Sequence, residues 1–136
     1  MIVADTNLIA YLLIGGTGTS VARSVFLRDP VWAVPLLWRS EFRNILAGYV
    51  RRKEIGIDEV LSVQEKAEQL VVGNEHLVES RHILHLVPKS TCSAHDCEFV
   101  ALAERLAVPL VTSDRRILRD FPSVAIDPLR FLETDR

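Results

Sequence analysis

Short apolar runs alternate with longer amphipathic stretches along this chain. Ile2, Val3 and Ala4 form an unbroken apolar run, as a strand covered on both faces requires. Asp5, Thr6 and Asn7 are turn and cap residues, and Leu8, Ile9, Leu12 and Leu13 then recur at helical spacing. Ser20 is placed to cap a helix carrying Val21, Val25 and Phe26, which stops before Pro30. A second apolar strand at 31–34 is closed by Pro35, and a long helix follows from about residue 36 to 52. Asp58 starts the next helix, with Val60, Leu61, Ala67, Leu70 and Val71 on its apolar side and Gly73 and Asn74 at its end. Residues 75–81 read as a short helix, and 83–87 as a third strand ended by Pro88. The clearest helix opens at Ser93 and buries Phe99, Val100, Ala103, Leu106 and Ala107. Residues 108–112 form a fourth strand, which leads through Ser113 and Asp114 into a helix with Ile117, Leu118 and Phe121. Residues 124–126 are a fifth strand, and Pro128 opens a last helix with Leu129 and Leu132. Alternating strands and helices pack as a parallel sheet with helices on both faces, and right-handed crossovers bring every strand's carboxyl end to one edge.

That edge collects acids. Asp5 ends strand one, and Asp114 follows strand four by two residues. Glu41 lies about one turn into the helix that leaves strand two. The helix from Asp96 descends for about twelve residues, roughly 18 Å, and strand four climbs back, so Asp96 and Asp114 return to the same edge. Each acid also has a structural reading. Asp5 or Asn7 can cap the first helix, and Glu41 can sit near a helix N-terminus for its dipole. Ser93 with Asp96 matches a capping box, with Asp in place of Glu or Gln. Asp96 nevertheless points toward the buried face of its helix, which a pure cap does not need. Glu98 falls on another stripe, with Leu102 and Arg105, and its part in the site stays open. Four converging carboxylates repel one another and raise each other's pKa, and a hard divalent cation, Mg²⁺ or Mn²⁺, resolves that repulsion. Thr6 and Asn7 are expected to orient Asp5, and Thr112 and Ser113 to orient Asp114. Arg39 and Arg43 bracket Glu41, and Arg115 and Arg116 follow Asp114. Such arginines either hold flanking phosphates of a nucleic acid or are solvated helix charges.

The 136 residues are 49% hydrophobic, enough for one domain, 1–136, with one core. The net charge of −2 points to neither nucleic acid nor membrane, although a basic groove can hide in a neutral total. A strand beginning at Ile2 leaves no room for a signal peptide, and no apolar run approaches a membrane span, so a cytoplasmic protein is expected. Cys92 and Cys97 lack the CxxC spacing of a zinc or redox pair and read as reduced, buried thiols. The four histidines form no metal-ligand grouping. The run Gly15-Gly16-Thr17-Gly18-Thr19-Ser20 lacks the ending of a phosphate loop and follows a helix, so it reads as a flexible connection.

The motifs as a set resemble those of PIN-domain ribonucleases: Asp5-Thr6-Asn7, the acid in Arg39-Ser40-Glu41-Phe42, Ser93-Ala94-His95-Asp96 followed by Phe99-Val100-Ala101-Leu102-Ala103, and Leu110-Val111-Thr112-Ser113-Asp114. The length and layout resemble VapC-type toxins of toxin–antitoxin pairs. The resemblance implies that Asp5, Glu41, Asp96 and Asp114 are an acidic quartet holding Mg²⁺ or Mn²⁺ for RNA cleavage. It also implies a homodimer inhibited by a small antitoxin protein. His95 stands where many relatives carry Tyr, and the glycine-rich segment is unusual. The expected fold is a three-layer α/β/α domain with strand order 3-2-1-4-5. The expected function is metal-dependent endoribonuclease. The alternative is a non-catalytic PIN-like domain that binds RNA or protein. A phosphoryl-receiver domain would need an acid pair at the first strand and a lysine after the last, and the chain has neither.

Overall fold

The structure is a computed structural model, and it describes residues 1–135. Strand β1 (Ile2–Ala4) lies at the centre of a five-stranded sheet of order β3-β2-β1-β4-β5. It pairs in parallel with β2 (Trp32–Pro35) on one side and β4 (Leu110–Val111) on the other. The edge strands β3 (Glu75–His76) and β5 (Ala125–Ile126) are also parallel. All the residues of β1, β2 and β4 are buried, as strands covered on both faces must be. The sheet thus has the predicted strand order and is flanked by helices.

Those helices are α1 (Thr6–Leu13), α2 (Thr19–Arg28), α3 (Trp38–Arg51), α4 (Ile57–Leu70), α5 (Ser80–Leu86), α6 (Ala94–Leu106), α7 (Arg115–Asp120) and α8 (Pro128–Glu133). Helix α6 packs on β1, β2 and β4, and it carries a nearly continuous buried face from Phe99 to Ala103. Helix α1 packs against α2, α3 and α4. One hydrophobic cluster runs from Ile2 to Phe131, with Trp32, Trp38 and Phe42 its largest fully buried side chains.

Two expectations exchange places between residues 75 and 87. The expected helix at 75–81 contains the short strand β3, and the expected strand at 83–87 is mostly the helix α5. Ile83 and Leu86 are buried while Leu84 between them is 61% exposed, which is helical spacing rather than strand alternation. A short apolar run does not separate the two by periodicity alone. Pro88 does not end a strand but lies in a 3-10 turn, Val87–Lys89, that follows α5. Strand β3 has no apolar signature because it is a two-residue edge. It is held by backbone bonds to β2, from Val34 N–H to Asn74 O and from Leu36 N–H to His76 O, both 3.0 Å. On α4 the buried residues are Val60, Val63 and Ala67, so the expected Leu61 faces outward instead. Cys92 and Cys97 are buried free thiols, and burial pushes the Cys92 thiol up to about 11.

Candidate active site

A cleft of about 270 Å³ opens at the carboxyl edge of the sheet, and Asp5, Glu41, Asp96 and Asp114 all line it. Four separate elements deliver them. Parallel topology is the reason: the loops that leave β1, β2 and β4 all emerge at this edge, and the start of α6 returns to it.

Asp5 is the N-cap of α1, and its Oδ1 accepts the Leu8 N–H at 2.8 Å. The capping reading therefore accounts for one oxygen. The other, Oδ2, accepts the hydroxyl of Thr112 at 2.5 Å. Thr112 is only 1% exposed, and its oxygen also accepts the Asp114 N–H at 3.0 Å. A hydroxyl has one proton, so here it goes to Asp5 and the lone pair faces Asp114. Burial pushes the Asp5 carboxyl up to about 6. The bonds from Thr112 and Leu8 oppose that rise, and the charges of Asp114 and Glu41 add to it.

Glu41 lies in the first turn of α3 and accepts the hydroxyl of buried Thr6 at 2.7 Å. Asp96 accepts the Ser93 N–H at 3.4 Å while Ser93 Oγ accepts the Asp96 N–H at 3.1 Å, a complete capping box. Asp96 is thus both a cap and a wall of the cleft. Asp114 caps α7, accepting N–H groups from Arg116 and Ile117 with one oxygen at 3.0 Å each.

The supporting hydroxyls are paired differently from expectation. Thr6 orients Glu41 rather than Asp5, and Thr112 orients Asp5 rather than the Asp114 carboxylate. Asn7 lines the cleft, whereas Ser113 faces a neighbouring pocket. Asn44, Ile45, Phe99 and Ile117 complete the cleft wall. Asn44 stands three residues beyond Glu41 on α3, a spacing that faces the same way and that gave a usable signal.

The arginines divide. Arg39 donates to Glu75 from Nε and Nη2, at 2.7 and 2.8 Å, and meets Glu68 at 2.9 Å. Its guanidinium serves the β3 edge and does not line the cleft. Arg43 donates to the Arg39 carbonyl at 3.0 Å and lines an apolar groove between α3 and α4. Arg115 and Arg116 are exposed at the start of α7, next to Asp114. Glu98 is half-buried, and burial raises its carboxyl, with Glu41 adding a smaller push.

Among the described residues, no three His, Cys, Asp or Glu side chains stand close enough together to hold a metal ion by themselves. The acids ring the cleft rather than meet at a point. The donor chemistry still fits a hard cation. All the charged donors are carboxylate oxygens, and Asp5 is raised in part by unneutralised neighbours. Mg²⁺ characteristically takes one or two carboxylates and fills the rest of its shell with water and phosphate.

The sequence profile of the PIN domain matches residues 2–123. No curated protein matches the sequence. Among solved structures, the crystal structure of PAE2754 from Pyrobaculum aerophilum is similar with a TM-score of 0.75 and 16% identity, over 97% of this chain and 86% of that one. A toxin–antitoxin complex from Klebsiella pneumoniae is similar with a TM-score of 0.66 and 16% identity, over 94% of this chain and 98% of that one. At such identity these likenesses speak for the fold, while the profile match spans β1 to α7 and all four acids of the cleft. The chain therefore belongs to the PIN-domain family.

Proposed function

We propose that this protein is a Mg²⁺- or Mn²⁺-dependent endoribonuclease, the toxin of a toxin–antitoxin pair. The observation that carries the reading is the convergence of Asp5, Glu41, Asp96 and Asp114 on one cleft with no basic side chain among the described residues of its wall. In this reading those four residues hold the ion. When bound, it supplies positive charge against the scissile phosphodiester and eases the loss of a proton from the attacking water.

The chain's own groups do the rest. Thr112 and the Leu8 N–H hold Asp5, and Thr6 holds Glu41, so neither carboxylate must be ordered when substrate arrives. One of the four acids takes the water's proton. Arg115 and Arg116 hold phosphates that flank the scissile bond. The partner is a small antitoxin protein, a reading supported by the structural likeness to the Klebsiella pneumoniae complex. The protein acts in the cytoplasm as a single-domain homodimer. Exposed Leu27, Ile57 and Leu61 on α2 and α4 suit contacts between copies.

One observation favours a second reading, a non-catalytic PIN domain that binds RNA or protein: the acids are spread too widely for three of them to form a ready cage. Cleavage of end-labelled single-stranded RNA separates the two. The nuclease reading expects cleavage with Mg²⁺ or Mn²⁺ and none in excess EDTA. Binding of RNA without cleavage under any divalent ion would favour the second reading, and full activity in EDTA would remove the metal from the account.

A further inference from the structure

Beside the acidic cleft lies a smaller pocket of about 140 Å³, whose lining includes Leu8, Tyr11, Gly18, Ser113, Asp127 and Leu129. It shares the sheet's carboxyl edge with the cleft. Ser113 immediately precedes Asp114, and Leu8 immediately follows Asn7. Tyr11 stands four residues after Asn7 on α1, so both side chains leave the helix on the same side.

Gly18 explains how Tyr11 is held. Its φ is −86°, an ordinary value that any residue adopts, so backbone conformation does not call for glycine there. It is also the N-cap of α2 and makes no side-chain cap, although Ser, Thr or Asp would cap better. What excludes a side chain is the Tyr11 ring. An ideal Cβ at Gly18 would lie 2.7, 2.8 and 3.1 Å from Tyr11 Cγ, Cδ2 and Cδ1. Near-equal distances to Cγ and both Cδ atoms place that point over the ring's face. One face of the ring thus lies flat against the Gly18 backbone. Thr19 adds a hydroxyl bond to the Tyr11 carbonyl at 2.7 Å. The ring as a whole remains 37% exposed.

A fixed, half-exposed aromatic ring beside a phosphodiester-cleaving cleft is the feature that stacks an unpaired base. We propose that this pocket binds one nucleobase of single-stranded RNA, next to the scissile phosphate, with Tyr11 as the stacking surface. The inference rests on the nuclease reading for its substrate. The size suits one flat ring system: a cavity of about 150 Å³ accepts benzene. The walls are mostly apolar, with Ser113, Asp127 and the Tyr11 hydroxyl as the polar side-chain groups, and Asp127 uses Oδ1 to accept the Leu129 N–H at 2.9 Å. A carboxylate there repels a phosphate and favours a base edge bearing N–H donors, so the occupant is the base rather than the backbone. Gly18 in the glycine-rich turn then has a role: it is the backing of the stacking ring.

The test uses fluorescent single-stranded oligoribonucleotides that carry one abasic nucleotide at each position in turn. Binding is read by anisotropy without divalent ion, so it does not depend on cleavage. For the wild type, one abasic position should weaken binding roughly tenfold, within the range that stacking on an aromatic supplies. For Tyr11→Leu, binding of intact RNA should fall by the same factor, and that abasic position should cost nothing more. Gly18→Ala, which keeps the ring but tips it, should behave like Tyr11→Leu. Hydrolysis of bis(p-nitrophenyl) phosphate, an ester with no base, should be equal in all three proteins. Wild-type failure to hydrolyse RNA or that ester would refute the nuclease reading, while the abasic series would still decide the base pocket. Equal abasic losses in wild type and Tyr11→Leu, or no sensitive position at all, would overturn the proposal and leave the pocket to a protein segment.

Discussion

Two clusters of acids in this molecule stand in opposite electrostatic states. At the β3 edge, Glu75 accepts two N–H groups from Arg39 and one from the Trp38 indole at 2.9 Å, and these bonds, with the charge of Arg39, hold its carboxyl below the usual range. In the cleft, Asp5 has hydroxyl and backbone donors but no cation among the described residues, and burial raises its carboxyl to about 6. Glu75, which holds the β3 edge, comes with an arginine. The cleft acids Asp5 and Glu41 come with neutral donors. The cleft therefore carries charge that the fold itself does not neutralise, as a site that trades stability for activity would.

The largest effect expected from breaking this contrast is on cleavage. Asp5→Asn should lower the RNA cleavage rate more than about a hundredfold, beyond the loss of an outer supporting partner. Its metal-free melting temperature should equal or exceed the wild type's. A mutant that melts earlier and still cleaves RNA would make Asp5 a helix cap only. Thr112→Val comes next: it removes the hydroxyl between Asp5 and Asp114, and Mn²⁺ affinity should fall roughly tenfold to a hundredfold, with Thr112→Ser restoring it. Calorimetric titration of both variants checks this. Arg39→Ala should have the reverse profile. It should cost about 1–2 kcal/mol of stability in denaturant melts, since it strips charged hydrogen bonds from a partly buried Glu75, and leave RNA affinity unchanged. A loss of RNA affinity without loss of stability would return Arg39 to the substrate groove.

The smallest effect is the pH dependence of metal-free stability, where the two clusters should pull in opposite directions. Asp5 has a folded pKa near 6 against an ordinary 3.8. Its ionisation therefore destabilises the fold fully above pH 6, and the penalty is relieved as pH falls from about 6 toward 4. Glu75 has a lowered pKa. Its contribution is intact above the usual carboxylate range and is lost as pH falls below it. Melting curves from pH 7 to 3 should show a gain and then a loss. Asp5→Asn should abolish the gain alone, and an unchanged curve in that variant would show that Asp5 is not the group responsible.

The cleft half of this contrast was legible in the sequence, the Glu75 half was not, and the failures have physical causes. Asp5 and Asp114 could be read because strand, turn and cap are adjacent in the chain, and parallel topology then forces the strand ends together. The supporting bonds were not legible. The Thr112–Asp5 bond spans 107 positions, and Thr6, although next to Asp5, reaches across to α3. Sequence adjacency placed Arg39 and Arg43 beside Glu41, and neither lines the cleft. Each stands two residues from Glu41, and residues two apart on a helix do not face each other. Strand β3 was missed because a two-residue edge held by Arg39 and by backbone bonds has no hydrophobic pattern to find.

In the proposed function, the negative charge of the cleft binds a divalent cation. Calorimetric titration of Mn²⁺ into the wild-type protein and into Asp5→Asn, Asp96→Asn and Asp114→Asn tests it most directly. The wild type should bind Mn²⁺ saturably, and each substitution should weaken binding by at least about tenfold. Wild-type protein that takes up no Mn²⁺ at millimolar concentration, or variants that bind as well as the wild type, would contradict it.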